Sequence, residues 1–323
     1  MRSARFAALA AAVALTCAAT ADAQQDYPVR PVRVVLGLAP GGSTDVVART
    51  VAAKLAEIWG QNVLVDNRVG AGGTIGADIV VKAPPDGYTL FVGGFGPSVM
   101  APILYTKLPY DPYASFTHIT LMVTLPLALL VPAKSPIANV KDLIDTAKAK
   151  PGTLRYGSIG VGSSPHVFIE LMNLRAGTST VHVPYKGAIA ALTGAIGGEV
   201  DYVMSSISTA QTQLPSGRVR AIGVTSATPT SRLPGVPPIA SAIPGYEGLE
   251  FHGLHGPAKM PPQLVAKIQK DVATVLQRPD VKERLDNLAM DIRATSSAEA
   301  SAFIRKQIDT WTDVARKANV RAD

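Results

Sequence analysis

Two stretches of the chain repeat one plan, and that repeat constrains the fold more than any other feature. RPVRVVLGLAPGGSTDVVART, Arg30 to Thr50, and GTLRYGSIGVGSSPHVFIEL, Gly152 to Leu171, each run from a basic residue through a strand-like segment to a glycine-rich turn. A pair of hydroxyls and an amphipathic helix follow in both. Each is therefore a βα unit, and one falls in each half of an alternating pattern. Strands are expected near 32–38, 62–66 and 88–93, and again near 127–131, 154–158, 180–183, 200–204 and 219–225. Helical periodicity fills the gaps, including 139–148, 187–196 and 207–214, and a mostly helical tail follows Pro261-Pro262. Ser296-Ser297-Ala298-Glu299 is a capping box that opens the last helix, expected to end near Ala318. The pattern predicts an α/β fold of two similar domains, each a mainly parallel sheet flanked by helices, with the tail packing back on the first domain. Ligands of such sheets bind beyond the carboxyl ends of the strands, so the two glycine turns are expected to face each other across a cleft.

A helix N-terminus presents unpaired amides and about half a positive charge, which makes it an anion site. Gly41 and Gly42 clear the approach, and Ser43 and Thr44 add hydroxyl donors. Gly157, Ser158, Gly162, Ser163, Ser164 and His166 repeat the arrangement. A single copy is as well explained by a tight βα turn with a capping hydroxyl. Two matched copies favour a shared binding site. Asp45 sits awkwardly beside an anion; in the first helical turn it complements the dipole and bonds local amides, or else it meets a ligand amine or water. Tyr185 and Lys186 are further candidates for the cleft rim, Lys186 bringing a full positive charge.

Other chemistry fits poorly. No lysine follows Gly41-Gly42, so the loop is not a phosphate-binding P-loop. Tyr156-Gly157-Ser158-Ile159-Gly160 lacks the first glycine of a nucleophile elbow, and Ser164 and His166 stand two apart at a helix start, where they do not face one another. Of the five histidines only His252 and His255 are closely spaced, with no carboxylate partner, so neither a metal nor a cofactor is expected. The formal charge of +7 comes from 31 basic and 24 acidic residues scattered along the chain, without the clustered basic and aromatic pattern of a nucleic-acid surface.

The first residues have the form of an export signal. Arg2 and Arg5 precede an apolar run, 6–15, too short to span a bilayer, and Ala21-Asp22-Ala23 is a small-x-small cleavage pattern. Cleavage before Gln24 removes residues 1–23 and with them Cys17, the single cysteine, leaving no disulfide or thiol chemistry. Thr16 before Cys17 is larger than a lipoprotein signal prefers, which argues against a lipid anchor.

In detail the chain resembles the Bug-type periplasmic solute receptors of tripartite tricarboxylate transporters. The resemblance is carried by Tyr27 to Arg33 with Pro40-Gly41-Gly42-Ser43-Thr44-Asp45, by Asp66-Asn67-Arg68 with Gly70-Ala71-Gly72-Gly73, and by Pro84-Pro85-Asp86-Gly87-Tyr88-Thr89-Leu90. Gly162-Ser163-Ser164-Pro165-His166, Val183-Pro184-Tyr185-Lys186-Gly187, Gly217-Arg218-Val219-Arg220-Ala221 and Leu233-Pro234-Gly235-Val236-Pro237 continue it in order. It implies a type II-like periplasmic binding protein that closes on a small carboxylate like a flytrap and delivers it to membrane subunits. Domain 1 would comprise 24–124 plus 249–323 and domain 2 125–248, with crossover strands near 120–127 and 247–255. The resemblance carries carboxylate binding onto Gly41 to Thr44, Ser163, Ser164 and His166, and the full set of residues expected to bind ligand is Ala39, Gly41, Gly42, Ser43, Thr44, Asn67, Thr74, Ser158, Ser163, Ser164, His166, Tyr185, Lys186 and Ser205. A monomer without enzymatic activity is expected; a ligand-sensing partner of a signalling kinase and a secreted hydrolase are the alternatives. Two departures stand out. Ser205-Ser206 replaces an acidic residue common after the 200–204 strand, favouring a second-carboxylate or neutral-tailed ligand over an amine. Phe251-His252-Gly253 stands where relatives often carry Trp.

Overall fold

The run Val32–Leu36 is branched and apolar and forms β1, buried along nearly its whole length, in a computed structural model that describes residues 27–321. The leader, its cleavage site and Cys17 lie outside the described residues. Helix α1 (Ser43–Trp59) leads to β2 (Val63–Asn67), and α2 (Thr74–Val81) to β3 (Thr89–Gly94). β2 and β3 flank β1, both parallel to it. A wide helical turn over Gly96–Met100 and the short α3 (Ala101–Leu104) then lead to β4 (Phe116–Pro132).

β4 is 17 residues long and nearly all buried. Its first part pairs antiparallel with β9 (Leu249–Pro257), from Phe116 opposite Pro257 to Pro126 opposite Leu249, with register shifts between His118 and Thr120 and between Leu121 and Val123. From Leu127 onward its partners change: it pairs antiparallel with β7 (Tyr202–Ser206) and β8 (Val219–Val224). The sequence reading placed a strand at 127–131 and a crossover near 120–127; the two are one strand, which begins earlier, at Phe116. In that second half, β5 (Arg155–Ser158) lies parallel between β6 (Val181–Pro184) and β7. The main strand order is β2-β1-β3-β9-β4-β7-β5-β6, with a short β10 (Asp291–Ile292) on β4. Two α/β lobes thus share β4 and β9.

The helices α4 (Val140–Ala149), α5 (Ser164–Ala176) and α6 (Ala188–Gly197) belong to the second half. Asn139 caps α4 by accepting from the Asp142 amide. Helix α7 is only Ile207–Ala210, shorter than the expected 207–214. Thr212 donates its hydroxyl to the Thr209 carbonyl, and the Gln213 amide, which would continue the helix onto that carbonyl, bonds Ala210 instead. Pro215 then has no amide to donate, and a tight turn over Leu214–Ser216 follows.

The tail comprises α8 (Pro262–Leu276), α9 (Pro279–Asn287) and α10 (Ser297–Lys317). Leu264, Ile268, Val272 and Val275 of α8 bury one stripe in the core that holds Val34, Leu36, Val47 and Val51. The predicted capping box of α10 forms in full. This last helix also reaches the second half: Trp311 stacks on Phe168 of α5 at 5.0 Å and meets Phe95, just after β3, edge-on at 5.0 Å. One aromatic cluster therefore joins both halves behind the crossover strands. Trp311→Ala should cost about 3–5 kcal/mol in urea unfolding, with Trp311→Phe recovering most of it; a loss below about 1 kcal/mol would show that the cluster does not fasten the halves.

Candidate functional site

A cleft of about 760 Å³ opens where the strands' carboxyl ends meet. Its walls come from the turns after β1 (Leu38 to Thr44), β2 (Val69 to Gly73), β5 (Ile159 and Ser164) and β6 (Lys186 to Ala190), from the end of β7 and the helix after it (Ser205, Ser206 and Thr209), with Leu127 and Glu250 from the crossover strands. The first two turns interlock backbone to backbone. A Cβ on Gly37 would stand 2.4 Å from the Gly73 carbonyl oxygen, so nothing larger than glycine fits there.

Three helices begin on this cleft without a side-chain cap: α1 after Gly42, α5 after Ser163 and α6 after Gly187. Among the described residues the amides of Ser43, Thr44 and Asp45 have no hydrogen-bond partner, nor have those of Ser164, Ala188 and Ile189. The positive ends of three helix dipoles thus converge on one space. Lys186 stands exposed at its rim. The Ser205 hydroxyl is buried in the wall without a hydrogen-bond partner.

The hydroxyls of the first turn are held from behind. His252 Nε2 lies 3.0 Å from Ser43 Oγ, and its Nδ1 lies 3.4 Å from Thr44 Oγ1. Burial depresses the His252 pKa to about 3, so the ring is neutral: one nitrogen donates to its hydroxyl, the other accepts from its own, and no charge is added. Asp45 turns away from the cleft. Its carboxylate accepts from the Gly41 amide at 3.1 Å, from Arg49 Nε at 2.9 Å and from Asn67 Nδ2 at 3.1 Å, while Asn67 also donates to the Leu38 carbonyl at 3.0 Å. Burial raises the Asp45 carboxyl, but these hydrogen bonds together outweigh it and leave the group below the usual carboxylate range. It is a staple for the turn.

Of the residues expected to bind ligand, Ala39, Gly41, Gly42, Ser43, Thr44, Ser164, Lys186 and Ser205 are brought together on the cleft wall. The others sit one layer back. Asn67 ties the first turn as described, and Thr74 donates to the Ala71 carbonyl at 2.9 Å. Ser158 Oγ is 2.6 Å from His182 Nε2, and Ser163 donates to the Gly160 carbonyl at 2.7 Å. His166 stacks on His182 at 3.9 Å and accepts the Gly162 amide at Nδ1, so it is no base for Ser164. Tyr185 donates to Glu199 at 2.9 Å.

Glu250 is the cleft residue that sequence reasoning passed over. It is 9% exposed, and its Oε1 accepts from the amides of Phe95 at 3.2 Å and Phe251 at 3.3 Å. Its Oε2 contacts the Ser164 hydroxyl. Burial pushes its carboxyl upward, outweighing these hydrogen bonds. The available signal was an acid standing alone inside the apolar run LEFHGLHG.

Two α/β lobes on shared crossover strands, with capless helices facing a common cleft, define a solute-binding receptor of the periplasmic-binding-protein class. The tripartite tricarboxylate transporter family receptor model matches residues 47–320, and the chain belongs to that family. It is similar to Rpa4515 of R. palustris, solved with adipate, at 31% identity and a TM-score of 0.88, covering 91% of this chain and 99% of that one. MatC of Rhodopseudomonas palustris, solved with bound malate, is 32% identical with a TM-score of 0.83, over 89% of this chain and 99% of that one. The periplasmic binding protein BugD is 32% identical with a TM-score of 0.84, over 91% and 99%. The family is one of solute receptors rather than enzymes.

If Asp45 staples the turn as a carboxylate, Asp45→Asn should lower stability at pH 7 by about 2 kcal/mol. A carboxyl lowered in the folded state stabilises above its unfolded titration and loses that contribution as it takes up a proton. The deficit in thermal unfolding should therefore shrink from pH 7 to pH 3; a deficit constant across that range would remove the charged staple.

Proposed function

We propose that this receptor captures a small organic carboxylate, of the dicarboxylate class, between its lobes in the periplasm and hands it to the membrane subunits of a tripartite tricarboxylate-type transporter. The observation that carries this reading is the convergence of three uncapped helix N-termini, from both lobes, on one cleft. One ligand carboxylate is bound by the amides of α1 with Ser43, whose proton is free when His252 donates to it from Nε2, and by the α5 start with Ser164. The far end meets Ser205, the start of α6 and Lys186. A cleft of about 760 Å³ leaves room for a short aliphatic chain between two carboxylates. Adipate and malate in the two related structures support the same class.

Domain 1 comprises 24–124 with 249–323 and domain 2 comprises 125–248 in this reading, since the strand pairing of β4 changes at Pro126 and Leu127. The chain acts as a monomer, exported by a leader cut before Gln24. No described helix is long and apolar enough to cross a membrane. Hinge closure creates the surface that the membrane subunits read.

Thermal-shift screening against mono-, di- and tricarboxylates tests the reading. Adipate or malate should raise the melting temperature without turnover, and acetate should not. Hydrogen bonds to a charged group contribute about 1.5–3 kcal/mol each, so Ser43→Ala with Ser205→Ala should weaken binding by about a hundredfold or more. Unchanged affinity in that pair would remove this site; no shift with any carboxylate would remove the ligand class.

A further inference from the structure

Glu250 presents a puzzle if the cleft holds an anion, as this inference assumes in resting on the function proposed above. The residue lies on β9 opposite Leu125, one position from where the chain enters the crossover strand. It is buried, lines the cleft, and forms no ion pair among the described residues. A carboxylate in that position repels the carboxylate for which the three helix ends are arranged.

Its hydrogen bonds offer a way out. Oε1 accepts two backbone amides, those of Phe95 and Phe251, and does so whether the acid is ionised or neutral. Oε2 faces the Ser164 hydroxyl. While Glu250 is ionised, it can only accept there, so the Ser164 proton is spent on Glu250 and the serine presents lone pairs to the cleft. Once Glu250 is protonated at Oε2, the acid donates to Ser164 Oγ. The serine proton is then free to turn toward the cleft, as an added donor at the start of α5.

Beyond the α5 dipole, no cationic side chain among the described residues pairs with this charge. Lys186 stands at the exposed rim. His252, two residues along β9, is buried and neutral and turns its ring to Ser43 and Thr44. His166, in the first turn of α5, accepts the Gly162 amide, and Asp45 is paired with Arg49. The Phe95 side offers a backbone amide. Burial acts on Glu250 in the same direction, favouring its neutral form.

We propose that Glu250 is a positioning residue through which the receptor takes up one proton as it captures its carboxylate, turning Ser164 from a blocked hydroxyl into a ligand donor. The proton comes from solvent and goes to Oε2, and no covalent bond is made or broken.

Isothermal titration with adipate and malate, in buffers of different ionisation heat between pH 6 and 9, counts the protons directly. Above pH 7 both ligands are almost wholly dianionic, so uptake there reports the protein. Uptake should approach one proton per ligand, and affinity should fall by up to about tenfold per pH unit as pH rises. Glu250→Gln presents an amide donor to Ser164 at every pH. It should show no uptake and a flat pH profile, and should bind more tightly than the unaltered receptor at pH 9. Ser164→Ala should weaken binding at pH 6 by about tenfold or more. Binding without proton uptake by the unaltered receptor would overturn this inference and leave the receptor reading standing, whether or not Glu250→Gln folds. Uptake that persists in Glu250→Gln would also overturn it, by placing the proton elsewhere. Failure of both acids to bind at any pH would remove the dicarboxylate reading and this inference with it.

Discussion

The antiparallel pairing of β4 with β9 is the constraint on which the rest of the structure depends. Each half has a parallel core, and the strands of a parallel set all present their carboxyl ends to one side. Because β4 pairs with β9 along its first part and with β7 and β8 along its last, the two sets are held on one continuous sheet path. Their loop ends then face a common space instead of opposite solvents. The pair is almost wholly buried, which explains why Phe116–Pro132 is so apolar. Trp311, packed on Phe95 and Phe168, adds a second fastening behind it.

What faces that space is dipole and hydroxyl more than ionic charge. Six amides from three helix starts have no partner among the described residues, and Lys186 is the cationic side chain that reaches the cleft. An anion held by oriented amides exchanges its hydration for preorganised donors, and the glycines at Gly41, Gly42 and Gly187 let it approach the backbone closely. The two acids near the site are handled oppositely. Asp45 is neutralised by Arg49 and turned into a brace. Glu250 has no cation and must answer the ligand's charge through its own protonation state. The positive net charge of the chain adds at most a diffuse attraction, since its basic residues are scattered.

Much of this was legible in the residues. The echoed glycine turns gave away both jaws, because a strand, a glycine turn and a hydroxyl-led helix leave a local pattern. The capping box at Ser296 and the tail helix at Pro262 were readable for the same reason. The full length of β4 was not, since an antiparallel strand shared by two lobes has no signature until its partners are known. Which hydroxyls face outward was equally hidden. Ser158, Ser163 and Ser164 lie in one short segment, yet Ser164 alone of the three lines the cleft, while the other two are spent on His182 and Gly160. That choice depends on contacts with distant segments. Glu250 escaped notice because nothing nearby in sequence marks an acid as facing a cleft built mainly from other elements.

Strand alternation on β9 ties these observations together. Glu250 and His252 are two residues apart and share a face, while Phe251 between them points the other way and meets Phe303 edge-on at 5.0 Å. From that shared face, His252 reaches Ser43 and Thr44 at the start of α1, and Glu250 reaches Ser164 at the start of α5. One strand therefore positions a hydroxyl on each jaw. The two anchors differ in kind: His252 stays neutral because protonation would bury an unpaired cation, whereas Glu250 becomes neutral by taking a proton. The first jaw is accordingly set in advance, and the second is set by the same charge that the cleft exists to hold.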